Sequence, residues 1–114
     1  MSVKVLIVED DADLNRYMEL DLKRHGYEVF TARDGREGLR LFHEARPSLV
    51  LLDVALPGMN GLTVCQRIRE LSNVPIVIMT AHAVSEEEMA EGLNIGADEY
   101  LIKPLRSLEF HARV

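Results

Sequence analysis

Short apolar runs that end in a polar or charged residue recur along this chain. Val5-Leu6-Ile7-Val8 leads into Glu9-Asp10-Asp11, Leu49-Val50-Leu51-Leu52 into Asp53, Ile76-Val77-Ile78-Met79 into Thr80, and Tyr100-Leu101-Ile102 into Lys103-Pro104. Runs of this length bounded by turn residues predict buried strands. A weaker run, Glu28–Ala32, predicts one more.

Between the runs the spacing becomes helical. Leu14, Tyr17, Met18 and Leu22 recur at i, i+3, i+4 and i+8, with Gly26 as the stop. Asp34 is placed to cap a second helix, with Glu37 placed to reach back, and that helix ends before Pro47. Asn60 caps a third, whose Val64, Ile68 and Leu71 line one side with Leu62 and Cys65 beside them. Pro75 opens the fourth strand, and Ser85-Glu86-Glu87-Glu88 is a capping box for a fourth helix that carries Met89 and Leu93 and closes at Gly96. Residues 107–114 predict a fifth helix, with Leu108 and Val114 apolar and Glu109 and Arg113 paired at i, i+4.

Strict alternation of strands and helices with short connections predicts an α/β fold: a doubly wound, five-stranded parallel sheet with helices on both faces. Among the common strand orders, 2-1-3-4-5 sets strands 1 and 3 side by side at the switch point, where ligands bind beyond the carboxyl ends. All the polar strand endings then share one edge. Asp53 meets Glu9 and Asp10 there, with Thr80 and Lys103 alongside.

Size and charge narrow the picture. A chain of 114 residues makes one domain that buries about two-thirds of its unfolded surface without staples. Its single cysteine, Cys65, lies on an apolar helix face and reads as core. No apolar stretch reaches the roughly 18 residues of a membrane span, and Met1-Ser2-Val3-Lys4 lacks the regions of a signal peptide, so we expect a cytoplasmic protein with no membrane partner. Nineteen acids against thirteen Lys and Arg leave a net charge of −6, which suits DNA poorly; DNA binding would have to come from another segment. The last helix is shorter than the others and has no stop signal. We therefore expect residues 1–114 to be one domain of a longer chain, truncated within helix 5.

Three carboxylates at one edge repel, and a divalent cation is the simple remedy. All-oxygen ligation suits Mg²⁺, with Mn²⁺ able to stand in. Zinc is disfavoured, since His25, His43, His82 and His111 are scattered and at no ligand spacing from Cys65. A metal-neutralised carboxylate beside an ammonium and a hydroxyl is a phosphoryl site. Asp53 would attack phosphorus, Lys103 would balance charge on the equatorial oxygens, Thr80 would hydrogen-bond one of them, and small Ala81 would leave room for a donor.

With these motifs in view, the chain resembles a receiver domain of a two-component response regulator over essentially all 114 residues. The matching motifs are Val5-Leu6-Ile7-Val8-Glu9-Asp10-Asp11, Leu52-Asp53 with Leu56-Pro57-Gly58-Met59-Asn60-Gly61, Met79-Thr80-Ala81, and Gly96-Ala97-Asp98-Glu99-Tyr100-Leu101-Ile102-Lys103-Pro104. The resemblance implies a flavodoxin-like (βα)5 fold. It implies that Asp53 accepts phosphate from a phosphohistidine of a sensor histidine kinase, that Glu9, Asp10, Asp53 and the backbone carbonyl of Ala55 hold Mg²⁺, and that Thr80 and Lys103 bind the phosphoryl group. Thr80 and Tyr100 would form the switch. The face made of helix 4, strand 5 and helix 5 would then form a homodimer or bind a partner.

The tail Glu109-Phe110-His111-Ala112-Arg113-Val114 resembles helix 5 of the winged-helix transcription factors, implying a DNA-binding output domain absent from this chain. Met89 and Glu91 stand where those regulators commonly carry basic residues, and Leu105 where Phe follows Lys-Pro. Two alternatives stay open. One is a stand-alone receiver acting through a partner protein. The other is a Mg²⁺-dependent phosphatase with an aspartyl nucleophile, a class that typically needs a second acid two residues on, where this chain has Ala55. In the leading reading the protein is a signalling switch, not an enzyme, and catalyses only its own phosphorylation and dephosphorylation.

Overall fold

The computed structural model describes residues 3–54, 56–80 and 99–102, with backbone alone at Thr80 and 99–102. Its elements run β1 (Lys4–Val8), α1 (Ala12–Arg24), β2 (Glu28–Ala32), α2 (Gly35–Ala45), β3 (Leu49–Asp53), α3 (Gly61–Arg69), β4 (Ile76–Thr80) and β5 (Glu99–Ile102). All neighbouring strands are parallel and stand in the order β2-β1-β3-β4-β5. The expected five-stranded, doubly wound order is therefore present. The helices expected over 85–96 and 107–114 lie outside the described residues.

The strand runs read as continuous apolar stretches because both faces of the sheet are covered. Along β1, β3 and β4 the side chains divide by alternation. Leu6, Val8, Val50, Leu52, Ile76 and Ile78 pack with Phe42 of α2 and with Val64, Cys65 and Ile68 of α3. Val5, Ile7, Leu49, Leu51, Val77 and Met79 pack on the other face with Met18 and Leu22 of α1. Each of these side chains contributes about 1.5–3 kcal/mol when fully buried. Together they hold the register that places the strand ends.

Two apolar positions behave otherwise than their spacing predicts. Leu71 is 62% exposed because α3 ends at Arg69, so Leu71 does not continue the buried side of Val64 and Ile68. Tyr17 is 40% exposed: the buried stripe of α1 runs through Asn15, Met18 and Leu22, and Tyr17 falls to one side of it. The helix starts follow the predicted caps. Asp34 accepts from the Glu37 N–H at 2.9 Å, and Asn60 accepts from the Leu62 N–H at 2.7 Å. Gly26 follows the end of α1 with φ +92°.

The end of α2 is different. Arg46 caps it in the left-handed region, φ 53° and ψ 62°, donating its N–H to the Phe42 carbonyl at 3.1 Å. A Cβ in that region costs about 1–2 kcal/mol, part of which glycine would return as greater freedom of the unfolded chain. Arg46→Gly is expected to raise unfolding stability by about 0.5–1 kcal/mol, read as a higher urea midpoint at unchanged slope. Arg46→Val should move it the other way.

Candidate functional site

The site is a consequence of register. Val8 of β1 stands opposite Leu52 of β3, and the next residue on each strand is an acid, Glu9 and Asp53. By alternation both continue the rows that face α1. Oxygens of Glu9, Asp10 and Asp53 lie within 4.8 Å of one another. Glu9 is fully buried and Asp53 is 3% exposed, whereas Asp10 is open to solvent. Two charges 4 Å apart repel by about 4 kcal/mol at the effective dielectric near a protein surface. Oxygen donors so arranged suit a hard divalent cation.

The acid run divides its labour. Asp11 is the cap of α1, its Oδ1 accepting from the N–H groups of Asp13 (3.0 Å) and Leu14 (3.1 Å). Capping therefore does not explain Glu9 and Asp10. Glu9 Oε2 accepts from the Asp11 N–H at 3.1 Å, which ties the buried acid to the same turn.

The loop after Asp53 is closed on itself. The Val54 carbonyl accepts from Leu56 N–H (3.1 Å) and Gly61 N–H (2.9 Å), and Val54 N–H donates to the Met79 carbonyl of β4 at 3.1 Å. A Cβ on Gly61 would overlap the carbonyl oxygen of Asp53 and sit 2.7 Å from Cα of Val54. Only a residue without a side chain lets α3 begin so close to the end of β3. The motif Pro57-Gly58-Met59-Asn60-Gly61 thus serves the position of Asp53 itself.

Thr80 ends β4 one residue past Met79, which stands opposite Asp53, so its backbone reaches the same edge. Tyr100 pairs with Ile78 in β5. The expected Ala55 carbonyl ligand, Lys103, Ala81 and His82 lie outside the described residues. Two residues not singled out from the sequence also reach the site: Asn15 hydrogen-bonds the Glu9 carbonyl and Arg33 the Asp10 carbonyl. The signal for Asn15 was its place three and seven residues before Met18 and Leu22, a polar residue within an apolar stripe.

A doubly wound parallel sheet with buried carboxylates at its switch point defines an α/β domain built to act at that edge. Residues 5–114 match the family model described as response regulator receiver domain, and the chain belongs to that family, whose members are signalling domains. It is 45% identical over 114 residues to the uncharacterized transcriptional regulatory protein YrkP of Bacillus subtilis, covering 100% of this chain and 48% of that protein. It is 42% identical over 110 residues to the transcriptional regulatory protein AfsQ1 of Streptomyces coelicolor, covering 96% of this chain and again 48% of the relative. The chain therefore spans about half the length of these curated relatives. Among solved structures it superposes on the chemotaxis protein CheY4 of Vibrio cholerae with a TM-score of 0.94 at 33% identity, covering 99% of this chain and 96% of that one. No described helix is long and apolar enough to cross a membrane.

Two outcomes follow from this geometry. Asp10→Asn, which relieves repulsion at the exposed corner of the cluster, should raise stability in chelator by on the order of 1 kcal/mol after solvent screening, and should weaken the stabilisation that added divalent cation brings; thermal melts with EDTA and with Mg²⁺ measure both. Gly61→Ala should destabilise by about 1–3 kcal/mol in urea. Because the obstacle is backbone, its amide chemical-shift changes should centre on Asp53 and Val54.

Proposed function

We propose that this chain is a phospho-accepting switch in which Asp53 takes a phosphoryl group from a phosphohistidine of a sensor histidine kinase. The observation that carries the reading is the convergence of Glu9, Asp10 and Asp53 within 4.8 Å at the switch point of the sheet. A carboxylate oxygen of Asp53 forms the new bond to phosphorus as the phosphorus–nitrogen bond of the donor breaks. The departing electron pair stays on the imidazole nitrogen, which is then protonated from solvent.

Glu9, Asp10, Asp53 and the Ala55 carbonyl would hold Mg²⁺. When bound, the cation neutralises the clustered carboxylates and offsets charge on the transferred group. Glu9 is buried and takes no part in the new bond, so its role is to hold and orient. Asp53 is the last residue of β3, at the carboxyl edge of the sheet where ligands of doubly wound folds bind. Thr80 and Lys103 bind the phosphoryl oxygens in this reading, and Thr80 with Tyr100 carries the change into the face formed by helix 4, β5 and helix 5. That face would then dimerise or bind a partner.

We further propose that the whole protein regulates transcription through a DNA-binding domain outside this chain. The reading is supported by the names of YrkP and AfsQ1 and by the half-length coverage of both. A stand-alone switch acting through a partner protein is the second reading, and the length of the full open reading frame separates the two. In either case residues 1–114 form the receiver domain, catalyse only their own phosphorylation and its reversal, and turn over no metabolite.

Acetyl phosphate tests the chemistry. Incubation with Mg²⁺ should add one phosphoryl group to the intact mass, and Asp53→Ala or EDTA should abolish the adduct. Modification that survives Asp53→Ala would remove Asp53 as the acceptor.

A further inference from the structure

The acid pair is held from behind by two side chains that belong to neither β1 nor β3. Asn15, in the second turn of α1, is 5% exposed, and its Nδ2 donates to the carbonyl of Glu9 at 2.9 Å and to that of Ala32 at 3.1 Å. The Ala32 carbonyl also accepts the Glu9 N–H at 3.0 Å. Val8 and Ala32 are the last registered pair of β1 and β2, so these bonds fasten the chain just where the ladder stops. Arg33, the next residue after β2, turns its guanidinium back, and Nε (3.2 Å) and Nη2 (2.9 Å) both donate to the Asp10 carbonyl. Successive carbonyls are thereby anchored from two different elements.

We propose that Asn15 and Arg33 are positioning residues, a carbonyl clamp that presets the Glu9–Asp10 backbone for the divalent cation. The proposal rests on the reading of the acidic cluster as a cation site. Packing alone does not account for Asn15, because a leucine of similar size would fill the same stripe and favour the helix more. Capping does not account for it either, since Asp11 caps α1 unaided. What the clamp opposes is the mutual repulsion of the three acids, which drives the short segment between β1 and α1 away from Asp53. A backbone already fixed spares the cation the work of ordering its ligands.

Isothermal titration of Mg²⁺ into the protein, paired with urea unfolding in EDTA, tests this on Asn15→Leu and Arg33→Lys. The second variant keeps the positive charge but loses the fork, and its side chain is exposed, so the fold is retained. Asn15→Leu should raise the Mg²⁺ Kd about tenfold. Arg33→Lys should raise it severalfold with the EDTA urea midpoint unchanged. Wild-type affinity in Arg33→Lys together with wild-type affinity, or only lowered stability, in Asn15→Leu would overturn the clamp while leaving the cation site standing. Should Asn15→Leu not fold, Arg33→Lys decides alone. A wild-type protein that binds no Mg²⁺ would overturn the cation site and the clamp with it.

Discussion

Repulsion among Glu9, Asp10 and Asp53 is the constraint to which the rest of the molecule answers. Two of the three acids are buried, and the register of β1 against β3 leaves them adjacent. That register is set by the alternating rows that meet α1 on one face and α2 and α3 on the other. A one-residue slip of β3 would move Asp53 into the row of Val50 and Leu52, against Val64 and Ile68, and expel those side chains from their core. The hydrophobic rows thus impose an unfavourable electrostatic contact. They can do so because each row is worth more than the contact costs.

Each acid is also wired to a different part of the fold. Asp53 is followed by Val54, whose carbonyl takes the Gly61 N–H at the first residue of α3. Glu9 is bound to α1 twice, through Asp11 N–H and through Asn15. Asp10 is bound to the β2–α2 connection through Arg33. Charge arriving at the cluster therefore meets three separate elements rather than one loop. A change in the balance of that charge is felt as force on α1, on α3 and on the end of β2 together.

Much of this was legible in the sequence, for identifiable reasons. Strand order and edge convergence could be read because β1, β3 and β4 are short, buried on both faces and ended or followed by a polar residue at the same end. Asp34 and Asn60 could be read as caps because a capping side chain acts within its own turn. The misplacements have equally local causes. Leu71 fits the helical spacing of Val64 and Ile68, but spacing does not say that α3 has already stopped at Arg69. Tyr17 and Asn15 both fit the spacing of Met18 and Leu22 on α1, and apolar character alone points to the tyrosine although the asparagine is the buried one. Asn15 is buried for its amide, which bonds the carbonyls of Glu9, just past β1, and of Ala32, at the end of β2 and seventeen residues away, a pairing that helical spacing does not announce. The left-handed cap at Arg46 carries none of the usual signal, because arginine is not the residue that conformation selects.

Magnitudes decide why the fold alone does not settle the cluster. The acid pair immediately precedes the N-terminus of α1, where the helix dipole favours negative charge by about 0.3–1 kcal/mol, more in partly buried geometries. The Asp11 N–H bond to Glu9 adds a charge-assisted contact of about 1.5–3 kcal/mol. Against these stand the repulsion of the buried pair Glu9 and Asp53, up to about 4 kcal/mol, and the repulsions of exposed Asp10 with each of them, which solvent screens to the order of 1 kcal/mol. The hydrogen bond and the dipole are of the same order as these repulsions, so the charge balance at this edge is close and a change of one charge there matters. In the proposed function a cation at the oxygens and a phosphoryl group on Asp53 would shift that charge in opposite directions. This is why an edge so tightly bonded from behind can still respond to chemistry at its front.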